Sequence, residues 1–178
     1  MGNLPKISKD QINKDEKKIL AELQKNANGS IDTIAKRCGF SRQKVWRTVK
    51  RLQQNRLIWG YAAIIDEKKN DLHHYILLIK RTVKQLDEKT FDIIISRKIE
   101  DIVSKMGVTV ESSYYTHGEY DWVLTFTAQT IVQAKKFCDS LIALHPGVIE
   151  KNILLETLFI IKNHHILNPE PKMLKKLL

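Results

Sequence analysis

Two residues, Gly39 and Phe40, separate one amphipathic helical pattern from the cap of the next. In IDTIAKRC the apolar Ile31, Ile34, Ala35 and Cys38 fall at i, i+3, i+4 and i+7, one face of a helix. Ser30 stands ahead of it as an N-cap, and Gly39 behind it as a C-cap residue. Ser41 then caps RQKVWRTVKRLQQN, in which Val45, Val49 and Leu52 face inward. So short a connection predicts two helices crossing in a tight helix-turn-helix. An earlier segment, INKDEKKILAELQKNA, supplies a third helix. Asn13 caps it, Glu16 completes a capping box, Ile19, Leu20 and Leu23 form its stripe, and Asn28-Gly29 ends it.

Charge separates this front part from the rest. Residues 1–72 hold 16 Lys and Arg against 8 Asp and Glu, whereas residues 73–178 hold 14 against 12. Between Lys36 and Arg56 there are eight basic residues and no acid. Arg42 and Lys44 sit in the first turn of their helix, where the macrodipole disfavours each cation by about 0.3–1 kcal/mol. A duplex phosphate at that turn would reverse the sign, because it meets both cations and free N–H groups. Arg and Gln are also the side chains that reach guanine and adenine edges in the major groove. The expected DNA-contacting set is Ser41, Arg42, Gln43, Lys44, Trp46, Arg47, Lys50 and Arg51. For Trp46 two readings stand side by side, packing against a wing or touching a thymine methyl or sugar.

After Asn55 the pattern turns β-prone. RLIWGYAAIID predicts a hairpin wing or a strand leaving the domain, and the charged EKKND marks a boundary. The division expected is a DNA-binding domain at 1–66, a linker at 67–73, a second domain at 74–165 and a tail at 166–178. Within 74–165 the spacing predicts a strand at 74–82, a helix at 87–106 and a strand through VTVESSYYTH. A turn at Gly118-Glu119-Tyr120-Asp121 leads to a return strand WVLTFT, a helix from Thr130 to His145, and a last strand or pair of strands. That order, β-α-β-β-α-β, is a ferredoxin-like α+β arrangement. Its helices would cover one sheet face and leave the other, expected to carry Ile76, Leu78 and Phe126, as an apolar patch for a second subunit.

These segments together resemble the Lrp/AsnC, or feast/famine, family of regulators. The resemblance is carried by INKDEKKILAELQKN, by IDTIAKRCGFSRQKVWRTVKRLQQNRLIWGYAAIID, by the turn Thr116-His117-Gly118-Glu119-Tyr120-Asp121 and by Pro146-Gly147-Val148. It spans residues 12–165, and His117 is extra relative to the family's turn. The resemblance implies a winged helix-turn-helix followed by a RAM (regulation of amino-acid metabolism) domain. It further implies sequence-specific transcriptional regulation on double-stranded DNA, dimers that assemble into octamers, and an amino-acid or similar small effector lodged near Gly118, Glu119, Tyr120 and Asp121. A carboxylate there can pair with an α-ammonium. A purely local account, in which Gly118 and Asp121 only make the turn, is the alternative.

A second function class shares the layout: siroheme decarboxylases of haem biosynthesis resemble this two-domain plan without acting on DNA. Such an enzyme needs His and Arg along a tetrapyrrole cleft, but Arg81 and Arg97 are the only arginines after residue 72. No catalytic triad order, P-loop, dinucleotide fingerprint or paired-Cys zinc spacing is present, so no catalytic residue, cofactor or metal is expected. Cys38 and Cys138 are too isolated for a disulfide framework. No apolar run reaches the roughly 18 to 20 residues that span a bilayer, and the N-terminus lacks the apolar core of a secretory signal. A cytoplasmic location without membrane partners is the expectation.

Overall fold

A computed structural model describes residues 13–83, 86–88, 91–92 and 103–177. By internal contacts the chain divides into two compact units, Met1–Ile64 with Ile161–Pro171, and Ile65–Ile160 with Lys172–Leu178.

The first unit is built on α1 (Lys14–Lys25), α2 (Ile31–Cys38) and α3 (Arg42–Gln54). The capping box of α1 forms as expected, with Asn13 Oδ1 accepting from the Glu16 N–H and Glu16 Oε2 accepting from the Asn13 N–H. The helix closes at Asn26, earlier than Asn28-Gly29. Gly39 caps α2 in the left-handed region at φ 69°, where a Cβ would be strained. The three stripes close on one another as a small core of Ile19, Leu23, Ile34, Ala35, Cys38, Val45 and Val49.

No strand forms over 57–66, and this corrects the strand expected there. Its residues are β-prone, but a strand exists only through a ladder, and among the described residues nothing pairs with it. Trp59 is left 94% exposed. The two-stranded ladder in this unit lies instead at β5 (Lys162–Asn163) and β6 (Ile166–Leu167), turning through His164 at φ 51°.

The second unit begins with a short 3-10 turn, Glu67–Asn70. Its sheet comprises β1 (His73–Arg81), β2 (Val108–Tyr115), β3 (Trp122–Ala128) and β4 (Ile149–Glu156), all antiparallel in the order β2-β3-β1-β4. Helix α4 (Ile131–Leu144), capped at Thr130, packs on one face of this sheet. The expected helix at 87–106 lies largely outside the described residues; 88, 91–92 and 103–104 are helical.

Register sets which side chains meet α4. Tyr75 pairs with Phe126, Leu77 with Leu124 and Ile79 with Trp122, and all of these face the helix. Phe126 is fully buried, stacked on Tyr75 and edge-on to Phe137 at 4.7 Å. Its expected place on the open face is therefore corrected. Ile76, Leu78, Val123, Ile153 and Leu155 do occupy that open face, each half-buried or exposed.

Candidate nucleic-acid interface

The site is the outer side of α3. Ser41 Oγ accepts from the Lys44 N–H and starts the helix at a fixed point. Val45, Thr48, Val49 and Leu52 are buried, so the rotation of α3 about its own axis is fixed by the core. At 100° per residue, the direction opposite that stripe is occupied by Gln43, Arg47 and Lys50. All three are exposed, and none forms an ion pair among the described residues.

The remaining cations flank this strip and have protein partners. Lys44 Nζ lies 2.6 Å from Asp15 Oδ2 and 4.0 Å above the Phe40 ring. Arg51 Nη2 lies 2.6 Å from Glu16 Oε1, and Arg42 Nη1 lies 3.5 Å from Asp32 Oδ2. Lys44 and Arg51 thus brace α3 against α1, and Arg42 braces it against α2. The cost of cations in the first turn is offset within the protein, which the sequence pattern left to a phosphate. Exposed pairs of this kind are worth about 0–1 kcal/mol, so phosphate can still compete for them. The carboxylates Asp15, Glu16 and Asp32 belong to the site in this sense. Sequence spacing did not reveal them, because 29 and 35 residues separate the first two from their partners.

Trp46 is half exposed at the edge of the strip, with Lys50 Nζ 5.9 Å from its ring centroid. Trp46 and Lys50 form an adjoining apolar and cationic surface suited to sugar or methyl contact next to phosphate.

The second expected site, the turn at 118–121, is partly structural. The Asp121 N–H donates to the Ile79 carbonyl, and its Oδ2 accepts from the Arg81 N–H at 2.8 Å. Thr116 closes the turn from the other side, donating N–H to the Asp121 carbonyl and O–H to the Tyr120 carbonyl. Tyr120 and Asp121 are half-buried, whereas His117, Gly118 and Glu119 are exposed. Gly118 has an ordinary negative or extended φ, and a Cβ built on it meets nothing within 4 Å. The fold of the chain does not itself demand glycine there.

Among the described residues no cluster of three or more His, Cys, Asp or Glu side chains is placed to hold a metal ion. Likewise, no helix among them is long and apolar enough to cross a membrane.

Residues 13–58 match the winged helix-turn-helix DNA-binding family. No curated protein sequence matches the chain. Among solved structures, the feast or famine regulatory protein of M. tuberculosis complexed with L-methionine superposes with a TM-score of 0.65 at 20% identity, covering 85% of this chain and 95% of that one. An AsnC family transcriptional regulator from Agrobacterium tumefaciens gives 0.61 at 22% identity, covering 90% and 99%. AsnC of E. coli gives 0.57 at 20% identity, covering 87% and 97%. Over most of its length the chain has the fold of these regulators.

Proposed function

We propose that this chain, a winged helix-turn-helix domain joined to a sensor-like α+β domain in the fold of the Lrp/AsnC regulators, is a sequence-specific transcriptional regulator. The observation that carries the reading is the strip Gln43, Arg47 and Lys50, free of acid and aimed away from a core that fixes its direction. Gln43 and Arg47 have the donor geometry for adenine and guanine edges. Ser41, Arg42, Lys44 and Arg51 flank them as the phosphate-contacting set, and Trp46 is placed to meet a sugar or thymine methyl. The division proposed is 1–66 for this DNA-binding part, 67–73 for the linker, 74–165 for the RAM-type domain and 166–178 for the tail, except that 161–171 group with the first compact unit.

The open sheet face supports a homodimer, with octamers built from dimers as its extension. Ile76, Leu78 and Leu155 supply apolar surface that a second copy would bury. The turn supports an effector role, because Gly118 clears space that its own fold leaves unused. The regulator of Neisseria meningitidis and that of M. tuberculosis were each solved with L-methionine; an amino acid is accordingly the effector class to test here. The protein acts without catalysis, in the cytoplasm.

Fluorescence anisotropy of the purified chain on the duplex upstream of its own coding sequence, at two salt concentrations, tests the reading. Binding that exceeds binding to random DNA and weakens steeply with salt is expected. Equal binding to both duplexes, or none, would overturn it and turn attention to a bound tetrapyrrole.

A further inference from the structure

Asn28-Gly29 is the single Asn-Gly step in the chain. It stands in the link between the close of α1 at Asn26 and the Ser30 cap of α2. Asn26 Oδ1 accepts from the Asn28 N–H at 3.0 Å, so the carboxamide of Asn26 is engaged. The Asn26 carbonyl accepts from the Gly29 N–H at a long 3.3 Å. Asn28 is exposed, and its own carboxamide forms no hydrogen bond among the described residues. That side chain can turn toward the next backbone nitrogen, and Gly29 puts no Cβ in its way.

We infer that Asn28 is a site of spontaneous deamidation, and that the product weakens the hold of the first unit on DNA. The Gly29 nitrogen, once it has given its proton to a solvent base, attacks Asn28 Cγ. A new Cγ–N bond closes a five-membered imide as the carboxamide C–N bond breaks, and ammonia leaves with a proton. Water then opens the imide. Cleavage of the new Cγ–N bond leaves aspartate in an unchanged backbone. Cleavage of the original peptide bond leaves isoaspartate, with one extra methylene in the chain. Nothing is oxidised or reduced, and water is the only co-reactant. The first step needs a deprotonated nitrogen, so the rate rises with pH.

The place of this step in the fold gives the reaction a consequence. Either product carries a carboxylate where the native residue is neutral. Two residues on, Ser30 starts α2. Asp32, in the first turn of α2, has its Oδ2 3.5 Å from Nη1 of Arg42, in the first turn of α3. The new charge thus enters near the end of α2 that meets a cation of the proposed phosphate-contacting set. There it repels the duplex, and salt screens that repulsion. Isoaspartate also lengthens the short link between α1 and α2. The effect on DNA rests on the regulator reading, whereas the chemistry at Asn28 does not.

The test ages the full chain at neutral and at mildly alkaline pH and reads its peptides by mass spectrometry, with fragmentation to locate the change. A one-dalton gain at Asn28 is expected before any gain at the exposed Asn26 or Asn55, and sooner at the higher pH. Chromatography should split it into aspartate and isoaspartate forms. Asn28→Gln, which would have to close a six-membered ring, should abolish the gain, and Gly29→Ala should slow it. A Cβ on residue 29 would stand 3.3 Å from the Asn26 carbonyl oxygen; should that variant fail to fold, Asn28→Gln decides. Anisotropy on the upstream duplex then compares aged with fresh protein. Aged wild type and fresh Asn28→Asp should each bind about two- to threefold more weakly, a loss that shrinks as salt rises, and aged Asn28→Gln should lose nothing. Conversion at Asn28 no faster than at Asn26 or Asn55, or unchanged affinity after full conversion, would overturn the inference. Fresh chain that binds no DNA would overturn the regulator reading and the DNA half of the inference with it, while the mass gain still decides the modification.

Discussion

Arg47 and Arg51 stand one turn apart on α3 and face different partners. Arg51 is tied to Glu16, whereas Arg47 projects from the side opposite the core without a carboxylate. Arg47→Ala is expected to weaken operator binding by about 1–3 kcal/mol and to relax specificity at one base pair, with the melting temperature unchanged. Anisotropy on operator and random duplexes checks this, and equal loss on both would reduce Arg47 to a phosphate contact. Arg51→Ala is expected to lower stability by no more than about 1 kcal/mol, the worth of an exposed pair. From sequence, Arg42, Lys44, Arg47, Lys50 and Arg51 all fall in the expected DNA-contacting set, because helical periodicity separates inside from outside but does not say which outer residues meet Asp15, Glu16 or Asp32. Gly118 poses the converse case, a residue whose type the fold leaves unexplained. Gly118→Ala is expected to hold or raise stability by up to about 1 kcal/mol, since the backbone accepts alanine and the unfolded chain loses freedom. It should also abolish the effect of amino acids on DNA binding. Thermal melts paired with anisotropy across the amino acids read both, and an intact response would remove the turn from the effector site.

Elements were legible where one face is apolar and the other polar. The three N-terminal helices, their N-caps and the two-residue turn follow that rule and stand where the sequence predicts, with only the end of α1 falling short. β3 does not follow it. In WVLTFTA both faces carry β-forming or apolar side chains, so alternation alone could not choose between them, and Phe126 was assigned to the wrong one. Pairing with β1 makes the choice, placing Phe126 beside Tyr75 under α4. The segment 57–66 shows the same limit more plainly: propensity marks residues that suit a ladder, while a strand also needs a neighbour. The two sheet faces can be told apart by experiment. Phe126→Ala is expected to cost about 3–5 kcal/mol, as cavity formation in a packed aromatic cluster does. Leu155→Ala, on the open face and 45% exposed, should leave the fold of a subunit intact and weaken self-association. Sedimentation velocity across a concentration series reads the second effect; an unchanged association would exclude β4 from the subunit contact.

At the scale of the whole molecule the chain carries one buried thiol in each unit, Cys38 under α2 and Cys138 within α4. Burial raises both thiols above their ordinary value, and Cys138 is pushed up to about 11, with the nearby Asp139 adding to the effect. A thiol held in its protonated form favours the folded state fully below the unfolded value of 9.0. That contribution fades as pH climbs through about 11, so the second unit should lose stability over that window. The thiolate is the reactive species, so neither cysteine should alkylate in the native protein at pH 8. Unfolding of a unit exposes its own cysteine, which turns the pair into separate reporters on two cores of different size. Among the described residues the first core gathers seven buried side chains around Ile19 and Val45, and the second gathers twelve around Phe126 and Leu124. Apolar burial scales with that difference, so in rising urea Cys38 is expected to label at a lower concentration than Cys138. Pulsed alkylation followed by mass spectrometry of peptides resolves the two. Coincident labelling would mean that the units unfold as one cooperative body, and Cys138 labelling first would place the weaker core in the sheet domain.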